Sequence, residues 1–208
     1  MEHFYTLQGE GYHQGRAAYF IRLGGCDVGC VWCDVKDSWD MDAHPKLSVT
    51  ELVSAVLNNS SPFGVSARER TQFRERALVV ITGGEPLMHN LDELTAALQS
   101  KGFETNIETS GAHPVSGSWD WICLSPKKFK APLPGILPLA NELKVVVFNR
   151  SDFDWAEKYA ALVSEHCKLF LQPEWDKAAE VTPLIIEYIK QNPKWELSLQ
   201  IHKYINVP

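Results

Sequence analysis

Three of the chain's five cysteines lie close together, as Cys26, Cys30 and Cys33. The spacing Cys-x3-Cys-x2-Cys puts three thiols on one short segment, which indicates metal ligation. A structural zinc ion normally takes four protein ligands. A [4Fe–4S] cluster that is held by three cysteines keeps one iron open for a cofactor or a substrate. Residues 26–33, called the cysteine loop below, are therefore a candidate reactive metal centre.

Zinc is the alternative at this point. A non-catalytic module in which the cysteines hold zinc needs a fourth ligand, for which the sequence offers His13 or His44. The other two cysteines, Cys123 and Cys167, lie in or beside apolar segments and are expected to be small buried side chains. An odd number of cysteines, three of them clustered, fits metal ligation in a reducing compartment better than a disulfide framework.

The composition limits the fold and the partners. The chain has 208 residues, of which 45% are hydrophobic, enough for one domain with a sizeable core. Its net charge of -6 argues against direct binding of nucleic acid or of an anionic membrane surface. The first residues lack the pattern of a secretion signal, and no run approaches the roughly 18 to 20 apolar residues of a membrane span. We expect a single domain over residues 1–208 that acts in the cytoplasm.

Strand and helix patterns alternate along the chain and must position the cysteine loop. Apolar, β-rich runs predict strands of a buried parallel sheet at residues 17–23, 77–82, 105–108, 119–124, 142–148, 168–172 and 197–201. Eight strand–helix units of a closed barrel usually take about 250 residues. About six units are expected here. The predicted fold class is α/β, an incomplete (β/α)6-type barrel with the active site at the C-terminal ends of the strands.

Helix starts are predicted at three places between the strands. Ser48 with Glu51, and Asn90 with Glu93, match the capping-box pattern that begins a helix. Pro183 is predicted to occupy the first position of a further helix, where no N–H is missed. These starts support a strand–helix repeat.

The polar motifs of the chain follow the predicted strands directly. Five of the predicted strands are followed by the cysteine loop, Gly83-Gly84-Glu85-Pro86, Thr109-Ser110-Gly111, Ser125-Pro126-Lys127 and Gln172-Pro173, in that order. In a βα barrel these loops meet at the C-terminal face, where active sites lie. Taken singly, each motif is weak, because Gly and Pro are also ordinary turn residues. Together they predict one site built from five loops.

The motifs together resemble the radical S-adenosylmethionine superfamily. The resemblance rests on the cysteine spacing after the first predicted strand, on Trp32 before the last cysteine and on the downstream Gly83-Gly84-Glu85-Pro86. It implies a [4Fe–4S] cluster whose open iron binds S-adenosylmethionine, and a 5′-deoxyadenosyl radical that removes a hydrogen atom from the substrate.

Further motifs resemble the 7-carboxy-7-deazaguanine synthase family within that superfamily, nearly from end to end. They are residues 6–11, 20–26, 32–34, 108–111, 125–127 and the ending His202-Lys203-Tyr204. The resemblance implies a lyase that contracts the ring of 6-carboxy-5,6,7,8-tetrahydropterin to 7-carboxy-7-deazaguanine, with loss of ammonia, on the route to queuosine and other 7-deazapurines. The expected substrate is a small pterin.

By this resemblance, the site residues fall into three groups. Cys26, Cys30 and Cys33 ligate the cluster. The predicted S-adenosylmethionine contacts are Trp32, Asp34, Gly84, Glu85, Ser125, Lys127 and Gln172. The predicted pterin contacts are Leu7, Gln8, Gly9, Arg22, Thr82 and the carboxylate of Pro208. Of these, Arg22 has a clear physical rationale, because its guanidinium can bind a carboxylate through two parallel hydrogen bonds, whereas a surface ion pair is its alternative role.

Val35 departs from the family pattern. Many members carry Thr after the Cys-Asp pair, where its hydroxyl ligates Mg²⁺, but here Val35 follows Asp34. Hard cations need oxygen ligands, which valine lacks. No magnesium ligand is therefore assigned, and we expect weak stimulation by magnesium.

Residues 58–76 are predicted to form a polar inserted loop that carries Arg68, Arg70, Arg74 and Arg76. A docking patch for an acidic external reductant such as flavodoxin is a second hypothesis for these arginines. The resemblance also implies a homodimer, which an exposed sheet edge would favour. A radical activase of a glycyl-radical enzyme is the competing enzymatic hypothesis, since it shares the cysteine motif.

Overall fold

The computed structural model describes residues 1–59 and 77–208. Eight strands form one sheet in the order of the sequence, and the first strand pairs antiparallel to the second. Every later neighbouring pair is parallel. The strands are β1 (Glu2–Leu7), β2 (Ala17–Leu23), β3 (Leu78–Gly83), β4 (Glu104–Thr109), β5 (Trp121–Leu124), β6 (Glu142–Val147), β7 (Lys168–Pro173) and β8 (Trp195–Leu197). The sheet confirms the predicted α/β class and its incomplete barrel, with β1 and β8 as edges.

Helices connect most of the parallel strands and pack on one face of the sheet. In the described residues they are α1 (Val49–Asn59), α2 (Asp92–Ser100), α3 (Ser151–Ala160), α4 (Ala178–Gln191) and the short α5 (Ile201–Ile205). The alternation of side chains along β3 shows how the two faces differ. Val79 and Ile81 join the large core beneath the helices, whereas Leu78 and Val80 pack with Ala18 and other residues inside the curve of the sheet. The inner face of the sheet therefore extends to the C-terminal ends of the strands.

Local signals performed unevenly as predictors of helix starts. The capping box at α1 is confirmed, because Ser48 N–H donates to the Glu51 carboxylate and Glu51 N–H donates to Ser48 Oγ. The start predicted at Asn90 is wrong by one residue, since α2 begins at Asp92 with Leu91 as its N-cap. Asn90 Oδ1 accepts from the Asp92 N–H, and the Leu91 N–H donates outside the helix to Ser116 Oγ.

Two further predictions near the end of the chain are wrong. Pro183 lies inside α4, which begins five residues earlier because the Glu174 side chain caps the preceding turn. Residues 197–201 are not a strand: β8 ends at Leu197, and the Ile201 N–H then donates to Gly9 O as α5 begins. Strand β1 was not predicted at all, because its half-buried edge position gives no continuous apolar run.

Two further predictions concern the inserted loop at residues 58–76 and membrane-spanning helices. Residues 58 and 59 are the last of α1, while residues 60–76, which include the four arginines of the predicted inserted loop, lie outside the described residues. In the part of the chain that the structure describes, no helix is long and apolar enough to cross a membrane.

Candidate active site

One pocket lies at the C-terminal ends of the parallel strands and receives all five loops that the sequence singled out. Its lining includes every predicted site residue: Cys26, Cys30, Cys33, Trp32, Asp34, Gly84, Glu85, Ser125, Lys127, Gln172, Leu7, Gln8, Gly9, Arg22, Thr82 and Pro208. Val35 lines it too. The topology therefore brings together residues that are up to 201 positions apart in the sequence, from Leu7 to Pro208.

The cysteine loop follows β2 and is held by backbone hydrogen bonds. Gly25 N–H donates to Ser38 O over 2.6 Å, and Cys26 N–H donates to Trp39 O over 3.3 Å. Gly25 has a φ of 104°, a conformation that a residue with a Cβ rarely adopts, so the sharp turn into the loop depends on glycine. The loop is thereby fixed by the segment that follows it.

The three cysteines form one small apolar group. Cys30 is buried with Val28 and Ala112, and the half-buried Cys26 and Cys33 pack against them. Burial raises the pKa of Cys30 to about 11, against the opposing charge of Lys127. Burial also raises the pKa of Cys26. The thiols are free, apolar in setting and next to a buried cation, so metal binding must displace their protons.

This donor set fits a cluster better than a single ion. Among the described residues, no group of three or more His, Cys, Asp or Glu side chains is arranged to hold one metal ion. The ligands of a four-iron cluster bind different irons and so lie further apart than the ligands of one ion. The predicted fourth zinc ligands, His13 and His44, do not line the pocket, and His44 Nε2 is bonded to Asp37 O at 2.7 Å. A three-thiol cluster site fits the residues present.

Asp27 ties the cysteine loop to two neighbouring loops. Its carboxylate lies 2.9 Å from His113 Nε2, in the loop after β4, and 2.7 Å from Lys130 Nζ, in the loop after β5. These partners lower the pKa of Asp27, His113 first and Lys130 second. The basic residue Lys130, which alone would suggest a solvated loop, thus helps to position the cysteines.

The glycines after β3 make room for the cysteine loop. A Cβ on Gly84 would lie 2.2 Å from Gly25 O and 2.8 Å from the Cys26 Cβ. A Cβ on Gly83, whose φ is 132°, would lie 2.1 Å from Leu23 O. The Gly84 N–H already donates to Leu23 O at 3.0 Å, so Gly84 can offer a ligand only its carbonyl oxygen.

Glu85 is buried, and its carboxylate is bonded within the protein. It accepts hydrogen bonds from Leu87 N–H, from Thr109 Oγ1 and from both the N–H and Oγ of Ser110. The side chain is 1% exposed. Its structural role is therefore to join the loop after β3 to the loop after β4. The backbone of Glu85 is also bonded within the protein, since its N–H donates to Gly25 O and its carbonyl oxygen accepts from Met88 N–H.

Lys127 connects the loop after β5 with the cysteine loop. Its ammonium group donates to Ser125 Oγ at 2.6 Å and lies 5.3 Å from the centre of the Trp32 ring. Burial lowers the pKa of Lys127. Trp32 also meets Phe129 edge to face at 6.2 Å. This group forms an aromatic and cationic wall beside Cys33.

Arg22 reaches the pocket from the end of β2 and forms an ion pair with β1. Its Nη1 donates to Glu2 Oε1 at 2.8 Å, and its guanidinium lies 4.9 Å from the Phe4 ring centre. Glu2 and Arg22 are directly opposite in the antiparallel pair. Since the Arg22 side chain is 26% exposed, the guanidinium is accessible from the pocket that it lines.

A buried polar network forms the base of the pocket, and sequence reasoning largely missed it. We call Gln8, Glu10, Glu108, Lys144 and Gln200 the polar floor. Gln8 donates to Glu108, Gln200 donates to Glu10, and the ammonium of Lys144 donates to both carboxylates. A lysine within the apolar run of β6 and a glutamate at the end of β4 were the available signals.

Gln172 belongs to a second buried chain of hydrogen bonds beside the polar floor. Ser198 Oγ donates to Gln172 Oε1 at 2.8 Å and accepts from Gly11 N–H at 2.9 Å. A Cβ on Gly11, whose φ is 63°, would meet the Glu142 carboxylate at 2.0 Å. The loop after β1 is thus packed tightly against β6, β7 and β8.

The last residues cross the mouth of the pocket as a helix. Lys203 Nζ forms a 2.7 Å ion pair with Asp34 and lies 4.9 Å from the Trp175 ring centre. At the end of α5, Asn206 has a φ of 55°, and the Val207 N–H turns back to His202 O at 3.1 Å. This reversal brings Pro208 to the pocket lining, by a helix and a turn rather than by the strand that was predicted.

Comparisons with known proteins place the chain among close relatives. No protein-family model matches it. A 7-carboxy-7-deazaguanine synthase from Flavobacterium psychrophilum is 49% identical over 208 residues, which cover 100% of this chain and 91% of the relative. The synthase of the same name from Escherichia coli is 38% identical over 221 aligned residues, covering 99% of this chain and 97% of the relative. The crystal structure of QueE from Escherichia coli aligns with a TM-score of 0.76 and 33% identity, covering 95% of this chain and 91% of that one.

Proposed function

The chain belongs to the 7-carboxy-7-deazaguanine synthase family, and from that premise we propose which residues of the pocket serve its cofactor and its substrate. The reaction is the radical-mediated ring contraction of 6-carboxy-5,6,7,8-tetrahydropterin to 7-carboxy-7-deazaguanine, with release of ammonia, in queuosine biosynthesis. The enzyme is a carbon–nitrogen lyase of the radical S-adenosylmethionine class and uses a [4Fe–4S] cluster with S-adenosylmethionine.

One observation carries the assignment of residues. The three cysteines share one pocket with Arg22 and the polar floor, so a cofactor held at the cysteine loop faces a substrate held at the floor. When bound, the cluster and S-adenosylmethionine supply a carbon radical that removes a hydrogen atom from the substrate. The task left to the protein is to hold the two molecules close and in a fixed orientation.

The cofactor side of the pocket is formed by residues that the loops fix in place. Cys26, Cys30 and Cys33 would hold the cluster. Gly84 leaves space and offers a carbonyl oxygen, which can accept from the amino group of S-adenosylmethionine. Hydroxyl, amide and carboxylate groups from Ser125, Gln172 and Asp34 line the same side, with Lys127 and Trp32 beside them. These groups would bind the methionine part and the nucleoside.

On the substrate side, Arg22 would bind the pterin carboxylate. A guanidinium can hold a carboxylate with two parallel hydrogen bonds, and the substrate would replace Glu2 as its partner. Leu7, Gly9 and Thr82 line the same region and would contact the ring. The carboxylate of Pro208 would act as a hydrogen-bond acceptor for the substrate, because α5 and its turn carry this residue to the pocket.

The tail and three tryptophans would keep water away from the reacting atoms. Trp32, Trp39 and Trp175 line the pocket, and Lys203 fastens α5 to Asp34 across its mouth. Exclusion of water and of stray hydrogen donors protects a substrate radical while it rearranges. In this proposal the side chains of the pocket do little acid–base work.

Magnesium would have a minor role in this chain. Val35 lines the pocket at the position where many family members supply a hydroxyl ligand, and it has no oxygen to offer. Any bound Mg²⁺ would depend on the substrate, on water and on other groups for its ligands. We propose that turnover depends only weakly on this ion.

The remaining assignments concern partners and location. The reaction needs an external electron, for which a flavodoxin-type protein is the proposed donor. A homodimer is proposed because β1 and β8 are edges of an open sheet, and edges favour pairing. The 208 residues would work as one domain in the cytoplasm, where thiols stay reduced. Three clustered free thiols support that location.

The decisive experiment is turnover by the anaerobically reconstituted protein. It is incubated with 6-carboxytetrahydropterin, S-adenosylmethionine and dithionite, and the products are analysed by mass. Formation of 7-carboxy-7-deazaguanine with ammonia is expected. Reductive cleavage of S-adenosylmethionine without that product would contradict the proposed substrate and favour an activase, whereas a colourless protein that retains zinc would contradict the cluster.

A further inference from the structure

The centre of the polar floor is a buried cation. Lys144 lies in the middle of β6, and its side chain is 3% exposed. Its ammonium group donates to Glu10 and, over 3.1 Å, to Glu108. A buried lysine between two carboxylates is costly to desolvate, and only such pairing offsets the cost. The arrangement therefore ties the loop after β1 and strand β4 to β6 through one charge.

Both carboxylates are oriented from their other side by amides. Gln8 Nε2 donates to Glu108 Oε1 over 2.7 Å, and Gln200 Nε2 donates to Glu10 Oε1 over 2.8 Å. Each carboxylate oxygen can accept about two hydrogen bonds. One bond per oxygen to the floor leaves acceptor capacity that faces the pocket, which all five residues line.

The charge of Lys144 keeps the Glu10 carboxylate ionised. Burial by itself would raise the pKa of Glu10, but Lys144 outweighs it and lowers that pKa to about 2. Burial would lower the pKa of Lys144, but Glu10 and Glu108 outweigh it and raise that pKa above the usual range. Cys123 and Glu142 also face Lys144. The charge of Lys127, in the loop after β5, also interacts with that of Lys144. His202, in α5, faces Glu10.

A reduced pterin ring matches this floor chemically. Its amino group and its ring N–H groups are hydrogen-bond donors, whereas its carboxylate, at the other end, is an acceptor. The floor offers acceptors, and Arg22, elsewhere in the same pocket, offers donors. We propose that Lys144 is a positioning residue, which holds the Glu10 and Glu108 carboxylates in the orientation that accepts from the N–H groups of the substrate ring. This inference rests on the proposed placement of the pterin in this pocket.

Equilibrium binding of 6-carboxytetrahydropterin to the holoenzyme, with S-adenosylmethionine but without reductant, tests the role apart from turnover. In Lys144→Met, two half-buried carboxylates lose the cation that lies between them, and the pterin Kd is expected to rise roughly 100-fold at about pH 8. As the pH falls toward about 6, one carboxylate takes up a proton that the other can share, so the Kd is expected to fall again. The wild type, in which Lys144 is paired with both carboxylates, should show no such pH dependence.

Three companion variants separate positioning from folding. Lys144→Arg keeps the charge and should weaken pterin binding by no more than about 10-fold, without the new pH dependence. The double variant Lys144→Met with Glu10→Gln removes one of the two facing charges. If the single variant fails to fold, the double variant should still fold. It should bind the pterin without that pH dependence. Lys190→Met, at an exposed surface pair with Glu187, is the matched control and should change nothing.

The outcomes discriminate among the possible faults. A pterin Kd for Lys144→Met within about threefold of wild type, with Arg22→Lys weakened, would overturn the role of Lys144 alone. Unchanged binding in both variants would overturn the placement of the pterin and this inference with it. A parallel loss of affinity for S-adenosylmethionine would mark general damage to the pocket and would also overturn the positioning role.

Discussion

The cysteine loop and the polar floor are two sides of one pocket, and the chain builds them in opposite ways. The cysteine loop takes its three thiols from residues 26–33. The polar floor joins Gln8 to Glu108, Lys144 to Glu10 and Gln200 to Glu10, across separations of 100, 134 and 190 residues. Contiguous residues keep their spacing in any fold, whereas the floor exists only once the sheet has formed. The three thiols are thus local in sequence, and the polar floor is not.

The largest expected effect lies in the cysteine loop. Cys30→Ala removes one of the three proposed cluster ligands, so turnover should fall by roughly 1000-fold or more, with loss of the visible absorbance of the reconstituted cluster. Cys167→Ala is the control, since Cys167 is buried away from the pocket and should leave the absorbance unchanged. A Cys30→Ala protein that kept a full cluster and wild-type turnover would contradict the role of the cysteine loop as the cluster side of the pocket.

Next in size is the support of that loop by Gly84. Gly84→Ala puts a Cβ 2.2 Å from Gly25 O, so the loop must shift, and misplacement by about 1 Å costs about 100-fold in rate. Gly135→Ala is the matched control, because nothing lies within 4 Å of its added Cβ. Steady-state turnover and cluster content are the measurements. Equal rates for the two variants would show that the close approach of these loops does not matter.

On the substrate side, Arg22→Lys is expected to act on binding. The lysine keeps the charge but loses the second parallel hydrogen bond, which should raise the KM for the pterin roughly 10- to 100-fold with a smaller change in kcat. The KM for S-adenosylmethionine should stay as it is. Arg150→Lys, at an exposed position, serves as the control. If only the KM for S-adenosylmethionine changed, Arg22 would be assigned to the cofactor side of the pocket instead.

The tail should give a moderate effect. Two glycines added after Pro208 move the terminal carboxylate away from the pocket, and the KM for the pterin should rise about 10-fold. Lys203→Met tests the other end of the same segment, because it removes the ion pair with Asp34 that fastens α5. Unchanged turnover with the added glycines would show that the carboxylate of Pro208 does not contact the substrate.

Magnesium removal should give the smallest effect. With Val35 in place of an oxygen ligand, turnover with a chelator is expected to stay within about threefold of turnover with added Mg²⁺. Val35→Thr should increase the response to the ion, because it restores a hydroxyl at that position. A strict requirement for magnesium in the wild type would show that other groups of the pocket hold the ion.

The difference between local and long-range features also explains which structural predictions were correct. The alternation of strands and helices and the loops that follow the strands are local patterns, and they gave the fold class and one pocket correctly. Boundaries failed where a tertiary contact intervened. Ile201 looks like part of a strand because it continues the apolar pattern of β8, but its N–H is bonded to Gly9 O. Pro183 looks like a helix start, but Glu174 caps the turn that precedes α4, and the helix continues from that turn at Ala178.

Glu85 shows the limit of motif reasoning within the site. The motif predicted a cofactor contact, and Glu85 does line the pocket. Its carboxylate, however, is bonded to Leu87, Thr109 and Ser110. A motif states that a residue is needed but not which of its atoms face the ligand. Partners from the next loop decide that, and they are set by the order of strands in the sheet.

By itself the sequence determined the spacing of the three thiols, because residues that are neighbours along the chain stay close in any fold. Only the tertiary structure decided the polar floor and the route of the tail. Burial of Lys144 in an apolar strand is unfavourable unless Glu10 and Glu108 lie beside it. Pro208 is an ordinary chain end until Asn206 turns it back to the pocket. The polar floor depends on buried contacts between distant segments. The route of the tail depends on the bonds from Ile201 N–H to Gly9 O and from Lys203 to Asp34, which no local spacing records.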